Sequence, residues 1–373
     1  MISNFFLCYF ETTRRCNLSC PYCMTASGPD VASVELTTDE AKHLVIDEVN
    51  KYSSRAAIAF SGGEFLMRED AHDLLAYNAS VGQWSFINTN GTLLDKTRIK
   101  DIKKATDERV TFVFSLDSIT PPESTIVREG TDPDALKALC KEMDVPHFFV
   151  VTITKHNLPQ LRDTFEHITA DGTPVLRSPM VPRGRGANFR DLMFDREDME
   201  SVIHPVLRET WLSYISFTPF FAASRVFQKN WLKTKIAIRQ LGCQAGRGYI
   251  GISPEGNVAP CVHLLDTEAE CGNVKDTPLS DVLESHPILQ ELRSRNNLQG
   301  KCGQCTYKNT CGGCRALAYH QNGHYLAEDP VCFFEPGNGK NRSEHEKLQN
   351  DRVGTFADFI RSTHPWNEIF GRG

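Results

Sequence analysis

Three thiols, Cys16, Cys20 and Cys23, fall within eight residues at C-x3-C-x2-C spacing, directly after the apolar run Phe5 to Phe10. Thiolates are soft ligands, and three on one short loop can hold three irons of a 4Fe–4S cube, leaving the fourth iron open to a small molecule. A structural zinc site wants a fourth Cys or His close by, and the next candidate is His43. The triplet therefore reads as a cluster with an open corner, set against a zinc knuckle or a chance group of cysteines. A second field lies downstream: Cys243-x12-Gly256-x4-Cys261, Cys302-x2-Cys305-x5-Cys311-x2-Cys314, and Cys332. The four thiols from 302 to 314 alone could make a zinc site, which leaves Cys243, Cys261 and Cys332 idle, whereas two clusters use all seven. Cys8 and Cys140 sit in apolar surroundings and read as buried thiols.

The elements that must position these residues are strand–helix units. Residues 6–12 read as a strand delivering the first cysteine loop. Thr37-Thr38-Asp39-Glu40 caps a helix reaching about Val49, with Ala41, Leu44, Val45 and Val49 on one face. Strands are expected at Ala56 to Phe60, Trp84 to Ile87, Val110 to Phe114, His147 to Ile153 and Val175 to Ser178. Helices are expected at about 70–80, 95–105, 133–143 and 158–168. Six apolar strands alternating with helices predict a parallel α/β fold, an open sheet or part of a (β/α) barrel. Polar residues stand at the strand C-termini, where such folds place their sites: Ser61-Gly62-Gly63-Glu64, Asn90, and Ser115 with Asp117. Gly62 and Gly63 read as a plain turn or as backbone that a ligand can approach, with Glu64 suited to an ammonium group. Asn90, Ser115 and Asp117 read as ligand contacts or as strand-end caps. Arg177 and the segment Arg183-Gly184-Arg185-Gly186 suit carboxylates, or form a solvated basic turn.

Residues 195–240 read as amphipathic helix, with Trp211, Tyr214, Phe217, Phe220 and Phe221 as core, as a cover over a barrel mouth, or as a substrate groove. Beyond it, Tyr249 to Ser253 and Asn257 to Pro260 read as a hairpin, and Leu279 to Arg293 as one helix. His263, His320 and His324 lie near the second thiol field as surface residues, caps or ligands. Residues 336–373 read as a polar tail with a short helix at 354–362. A net charge of −6 gives no general attraction to nucleic acid or anionic membrane, and no apolar run approaches a membrane span. The expected location is the cytoplasm, where thirteen cysteines argue for metal or redox chemistry over disulfides.

The C-x3-C-x2-C triplet, with Tyr22 before its last Cys, resembles that of the radical S-adenosylmethionine (SAM) enzymes. The seven downstream thiols with Gly256 resemble the SPASM extension of that family, which carries two auxiliary 4Fe–4S clusters. One departure is the gap of two residues, Gly312-Gly313, between Cys311 and Cys314, where many members have three. The resemblance implies a partial, TIM-like (β/α)6 barrel over 1–200, a helical linker at 201–240, a SPASM domain at 241–335 and a tail at 336–373. It implies a SAM-binding cluster on Cys16, Cys20 and Cys23, with Gly62, Gly63 and Glu64 at the SAM amino group and Tyr22 beside the adenine. Asn90, Ser115, Asp117 and Arg177 resemble further cofactor or substrate contacts. Cys302, Cys305, Cys311 and Cys332 would hold an outer auxiliary cluster, and Cys243, Cys261 and Cys314 an inner one. Cys271 either completes the inner cluster or leaves it with an open iron.

The implied activity is reductive cleavage of SAM to a 5′-deoxyadenosyl radical, which takes hydrogen from a substrate C–H bond while the auxiliary clusters handle the substrate electron. A one-electron donor such as flavodoxin or ferredoxin is the implied partner. Peptide or protein modification is the expected reaction, with tetrapyrrole side-chain modification of a haem or haem d1 precursor as the alternative. Only 15 residues precede Cys16, without the N-terminal recognition domain of many peptide maturases, which favours a small substrate or a separately presented peptide. Asp329 is a candidate acid–base residue near Cys332, and a non-catalytic iron–sulfur or zinc protein is the reading from another class.

Overall fold

The runs of Phe, Val, Ile and Ala between helices build one eight-stranded sheet in the computed structural model, which describes residues 6–119, 131–209, 242–305, 308–309 and 311–336. The strands are β1 (Phe6–Glu11), β2 (Ala56–Ser61), β3 (Trp84–Thr89), β4 (Val110–Leu116), β5 (His147–Ile153), β6 (Val175–Pro179), β7 (Tyr249–Ile252) and β8 (Val258–Ala259). Their order is β6-β5-β4-β3-β2-β1-β7-β8; every pair is parallel except the β7–β8 hairpin. Sequential neighbours from β1 to β6, each joined by a helical crossover, give the partial (β/α)6 barrel that the sequence implies. The helices are α1 (38–52), α2 (Ala71–Ser80), α3 (Lys96–Ala105), α4 (Pro133–Glu142), α5 (Leu161–Thr169) and α6 (196–209).

The two sheet faces bury different surfaces. Cys8, Phe10, Ile58, Phe60, Ile87, Phe112, Phe114, Phe149, Val151 and Val175 join the large core beneath the helices. The alternate residues Ala57, Ala59, Trp84, Phe86, Val113 and Phe148 form a smaller cluster on the other face, with Leu7, Tyr9, Val150 and Leu176 against it. That alternation is the period-two pattern of a strand, here apolar on both sides because helices cover one face and the barrel interior lies on the other. α1 begins with the expected N-cap, Thr37, which the structure completes as a capping box with Glu40, and carries a π-helical stretch at Ala41–Ile46.

The second cysteine region is tied into the barrel sheet. β7 pairs with β1 from Leu7↔Tyr249 to Phe10↔Ile252, so the hairpin extends the sheet on the side opposite β2. The single helix expected at 279–293 is two, α7 (Leu279–Ser285) and α8 (Pro287–Ser294). Pro287 is the cause: it lacks an N–H and pushes the preceding residue out of the helical region, and His286 is extended. α9 (Gly300–Gln304) and α10 (Arg315–Asn322) complete this region. Of the 195–240 stretch, residues 196–209 are helical and the aromatic run lies outside the described residues, as does the tail from 337. Among the described residues no helix is long and apolar enough to cross a membrane.

Cys8 and Cys140 are fully buried, as expected, and burial pushes Cys140 up to about 12 and Cys8 higher. Thiolate is the reactive form, so both should resist iodoacetamide at pH 8 in the native protein and react only on denaturation, as read by peptide mass spectrometry. Native labelling of either as fast as half-buried Cys20 would contradict this packing.

Candidate active site and the cysteine sets

The first cysteine loop leaves β1 and is held by backbone on glycine. Gly63 N–H donates to Thr13 O at 2.7 Å and Glu64 N–H to Arg15 O at 2.9 Å. A Cβ on Gly63 would lie 2.2 Å from Arg15 O, and one on Gly62, at φ +131°, 2.3 Å from Thr13 O. The chain approaching the two glycines is thus the protein's own strand into Cys16, which requires both residues to lack a side chain.

Glu64 is fully buried and points into the same junction. Its Oε2 accepts from Thr89 Oγ1 (2.9 Å) and Asn90 N (3.0 Å), and its Oε1 from Leu66 N (3.2 Å). Burial raises its pKa, opposed by these hydrogen bonds. Asn90 Nδ2 donates to Asn17 Oδ1 at 2.9 Å and lies 4.0 Å from Cys16 Sγ. The structure therefore brings Gly62, Gly63, Glu64, Asn90 and Cys16 to one place. Tyr22 joins a second pair, its hydroxyl donating to Asp117. Asn157 Nδ2 donates to Asp117 O at 2.8 Å, and Ser115 is half-buried two residues before Asp117. Arg177 stands elsewhere: it pairs in register with Val151, on the helix-facing side with Val175, while Leu176 and Ser178 take the barrel side.

The Arg-Gly-Arg-Gly segment latches this loop instead of presenting free cations. Arg185 donates through Nε (3.0 Å) and Nη2 (2.8 Å) to Cys20 O, and through Nη2 to Ser27 O at 2.7 Å. Arg183 forms a buried two-pronged pair with Glu11 at 2.7 and 2.8 Å, and its Nε reaches Asp266 at 2.9 Å. Arg14 bridges Asp266 and Glu255, so the network ties β1 to the hairpin turn and to the segment after Cys261. The carboxylate-binding role expected of these arginines is filled at Arg183 by the protein's own Glu11 and Asp266, while Arg185 binds backbone carbonyls. Asn17, Thr89, Asn157 and Glu11 escaped the sequence reading; a polar residue directly at a strand end was the available signal for Glu11 and Thr89.

The downstream thiols fall into two sets. Cys243, Cys261 and Cys314 interact electrostatically with one another, and so do Cys302, Cys311 and Cys332. Cys305 lies at the C-terminus of α9, which carries Cys302. Burial pushes Cys261 and Cys332 up to about 12, and Cys16 to about 11 with Glu64 and the neighbouring thiols adding to it. Thiols so sequestered and grouped give up their protons to a metal and not to water, a donor chemistry that fits iron–sulfur clusters. Cys271 is buried in the main core, as is Cys314; it donates through Sγ to Ala269 O at 3.6 Å, and feels Glu270 and Arg293. His320 bonds His263 O at 2.7 Å and His324 accepts from Leu326 N at 3.1 Å. His263 faces Ser178 Oγ at 3.3 Å, and burial lowers its pKa to about 3, which keeps it neutral.

Gly63→Ala should displace residues 13–16 and cost roughly four irons per chain on anaerobic reconstitution, with the downstream thiols still loaded. A variant with the full wild-type iron content would contradict the packing.

Residues 10–168 match the Radical SAM superfamily, and residues 243–306 match SPASM, described as an iron–sulfur cluster-binding domain. The chain is 31% identical over 342 residues to an AdoMet-dependent heme synthase of Methanosarcina barkeri, covering 88% of this chain and 96% of that protein. It is 28% identical over 344 residues to a PqqA peptide cyclase of Granulibacter bethesdensis, covering 87% and 86%. In fold it is similar to Streptococcus suis SuiB bound to S-adenosylmethionine, with a TM-score of 0.66 at 17% identity, covering 89% of this chain and 78% of that one. The chain belongs to the radical SAM superfamily with a C-terminal SPASM domain, and is an enzyme that works with S-adenosylmethionine and 4Fe–4S clusters.

Proposed function

We propose that this enzyme modifies the carboxylate-bearing side arms of a tetrapyrrole, with haem or a haem precursor as product. The observation that carries the reading is the match to the AdoMet-dependent heme synthase, which spans 88% of this chain and 96% of that protein. Peptide modification was the expected reaction; the similarity to a PqqA peptide cyclase favours it as the second reading, over a smaller share of the relative.

In this reading Cys16, Cys20 and Cys23 hold the SAM-binding cluster. Cys302, Cys305, Cys311 and Cys332 hold the outer auxiliary cluster, and Cys243, Cys261 and Cys314 the inner one, with Cys271 left as a core thiol. When bound, the clusters and S-adenosylmethionine supply a 5′-deoxyadenosyl radical and an acceptor for one electron. The chain's own residues provide orientation and dryness. Glu64, fixed by three donors, holds a buried acceptor beside the Cys16 loop, where it suits the ammonium of S-adenosylmethionine. Tyr22 and Asp117 present a paired ring and carboxylate on the same loop edge. The aromatic and alanine-lined barrel face keeps water from a radical that would otherwise be quenched. For a propionate arm, a hydrogen atom leaves the carbon β to the carboxylate, CO2 departs with loss of one electron, and a vinyl group remains.

Reconstituted anaerobically and given S-adenosylmethionine, a strong reductant and an iron porphyrin bearing propionates, the enzyme should yield a porphyrin lighter by CO2 and two hydrogens per arm. One 5′-deoxyadenosine should accompany each arm. Cys16→Ala should form neither product and keep most of the auxiliary iron. Deoxyadenosine formation with the porphyrin unchanged, at every iron loading, would move the substrate to another class.

A further inference from the structure

Two buried side chains outside the thiol sets connect them. The Asp329 carboxylate accepts from Cys314 N at 2.7 Å through Oδ2 and from Val331 N at 3.2 Å through Oδ1. The Asp329 N–H donates to Cys302 Sγ at 3.3 Å. Arg315 follows Cys314 but turns back towards the other set, its Nη2 lying 3.6 Å from Cys302 Sγ. Its remaining donors fix it there: Nη1 to Tyr325 O (2.8 Å) and Ala327 O (2.6 Å), and Nε to Gly313 O (3.4 Å). A charged guanidinium and a backbone N–H thus converge on one thiol of the outer set, while the carboxylate of the same assembly holds a backbone N–H of the inner set.

The two-residue gap between Cys311 and Cys314 makes this convergence possible. Gly312 and Gly313 are left-handed, at φ +78° and +64°. A Cβ on Gly313 would lie 2.5 Å from Arg315 Nη2, 2.8 Å from Cys302 Sγ and 3.0 Å from Asp329 Cβ. The glycine is where guanidinium, thiol and carboxylate close on one another, and any side chain would hold them apart.

We propose that Arg315 is a positioning residue that raises the reduction potential of the outer auxiliary cluster, with Asp329 locking the two sites in register. Positive charge and hydrogen bonds at a cluster sulfur stabilise the reduced form. The inner set has cations of its own, Arg183 near Cys261 and Arg295 bonded to Cys243 O at 2.6 Å, so the effect of Arg315 falls on the outer cluster alone. This rests on the cluster assignment of the preceding subsection.

The test is a potentiometric titration of the reconstituted full-length protein, followed by EPR, on wild type, Arg315→Gln and Arg315→Lys. Two auxiliary signals are expected in the wild type. Arg315→Gln should shift one of the two midpoints downward and leave the other nearly in place, and Arg315→Lys should recover part of that shift. Arg315→Gln with full iron and both midpoints unmoved would overturn the proposal. Loss of outer-cluster iron from both variants would also overturn it, by making Arg315 a scaffold of the site. A wild type lacking the auxiliary signals would overturn the cluster assignment itself, a failure separable from the other two.

Discussion

Everything at the candidate active site depends on bare backbone lying against bare backbone. The strand that feeds the first cysteine loop passes within van der Waals contact of Gly62 and Gly63, at a place where a methyl group would sit 2.2 to 2.3 Å from a carbonyl oxygen. That contact fixes the path into Cys16. It also puts Glu64, the next residue, under Asn90 and beside the first thiol, because the hydrogen bonds from Gly63 N and Glu64 N leave no freedom in register. Arg185 closes the loop from its other side by holding the Cys20 and Ser27 carbonyls. A short loop with three thiols and few regular hydrogen bonds of its own is thereby held from both sides.

The second constraint is electrostatic. Glu11 and Arg183 are both almost fully buried, and Asp266 shares the guanidinium. Burial opposes the charge on Arg183, and the two carboxylates more than offset it, so its pKa is raised. Removing one member of such a pair leaves an uncompensated charge in a dry place, at a cost of about 3–5 kcal/mol. The pair joins the end of β1 to the backbone at Val262, next to Cys261 of the inner set. With the β1–β7 pairing, it makes the first cysteine loop and the second cysteine field parts of one rigid frame, although the sequence separates them by more than two hundred residues.

Much of this was legible from residue types and spacing. The six parallel strands stood out because each is a short apolar run ending in polar residues, and the N-cap segment at Thr37 announced α1. The three thiol groupings followed from spacing compared with a known family. What the residues could not announce was direction. Arg177 and Ser178 are neighbours in sequence but take opposite faces of β6, and only the register against Val151 and Thr152 says which faces the helices. Arg183 and Arg185 looked like free cations because their partners, Glu11 and the carbonyls of Cys20 and Ser27, are distant in sequence. Pro287 was in plain view and its break in the helix should have been read. Cys271 belongs equally to a cluster or to the core on sequence, and burial alone does not distinguish it, because Cys314 lies in the same apolar core.

The central claim is that the loop of Cys16, Cys20 and Cys23 holds a cluster with one iron open to S-adenosylmethionine. The most direct measurement is the EPR spectrum of anaerobically reconstituted, reduced protein with and without S-adenosylmethionine. The account predicts that one cluster signal changes its g-values on addition, and that this signal is missing from a variant in which all three cysteines are replaced by alanine. A spectrum that S-adenosylmethionine leaves unchanged in fully loaded protein would contradict it.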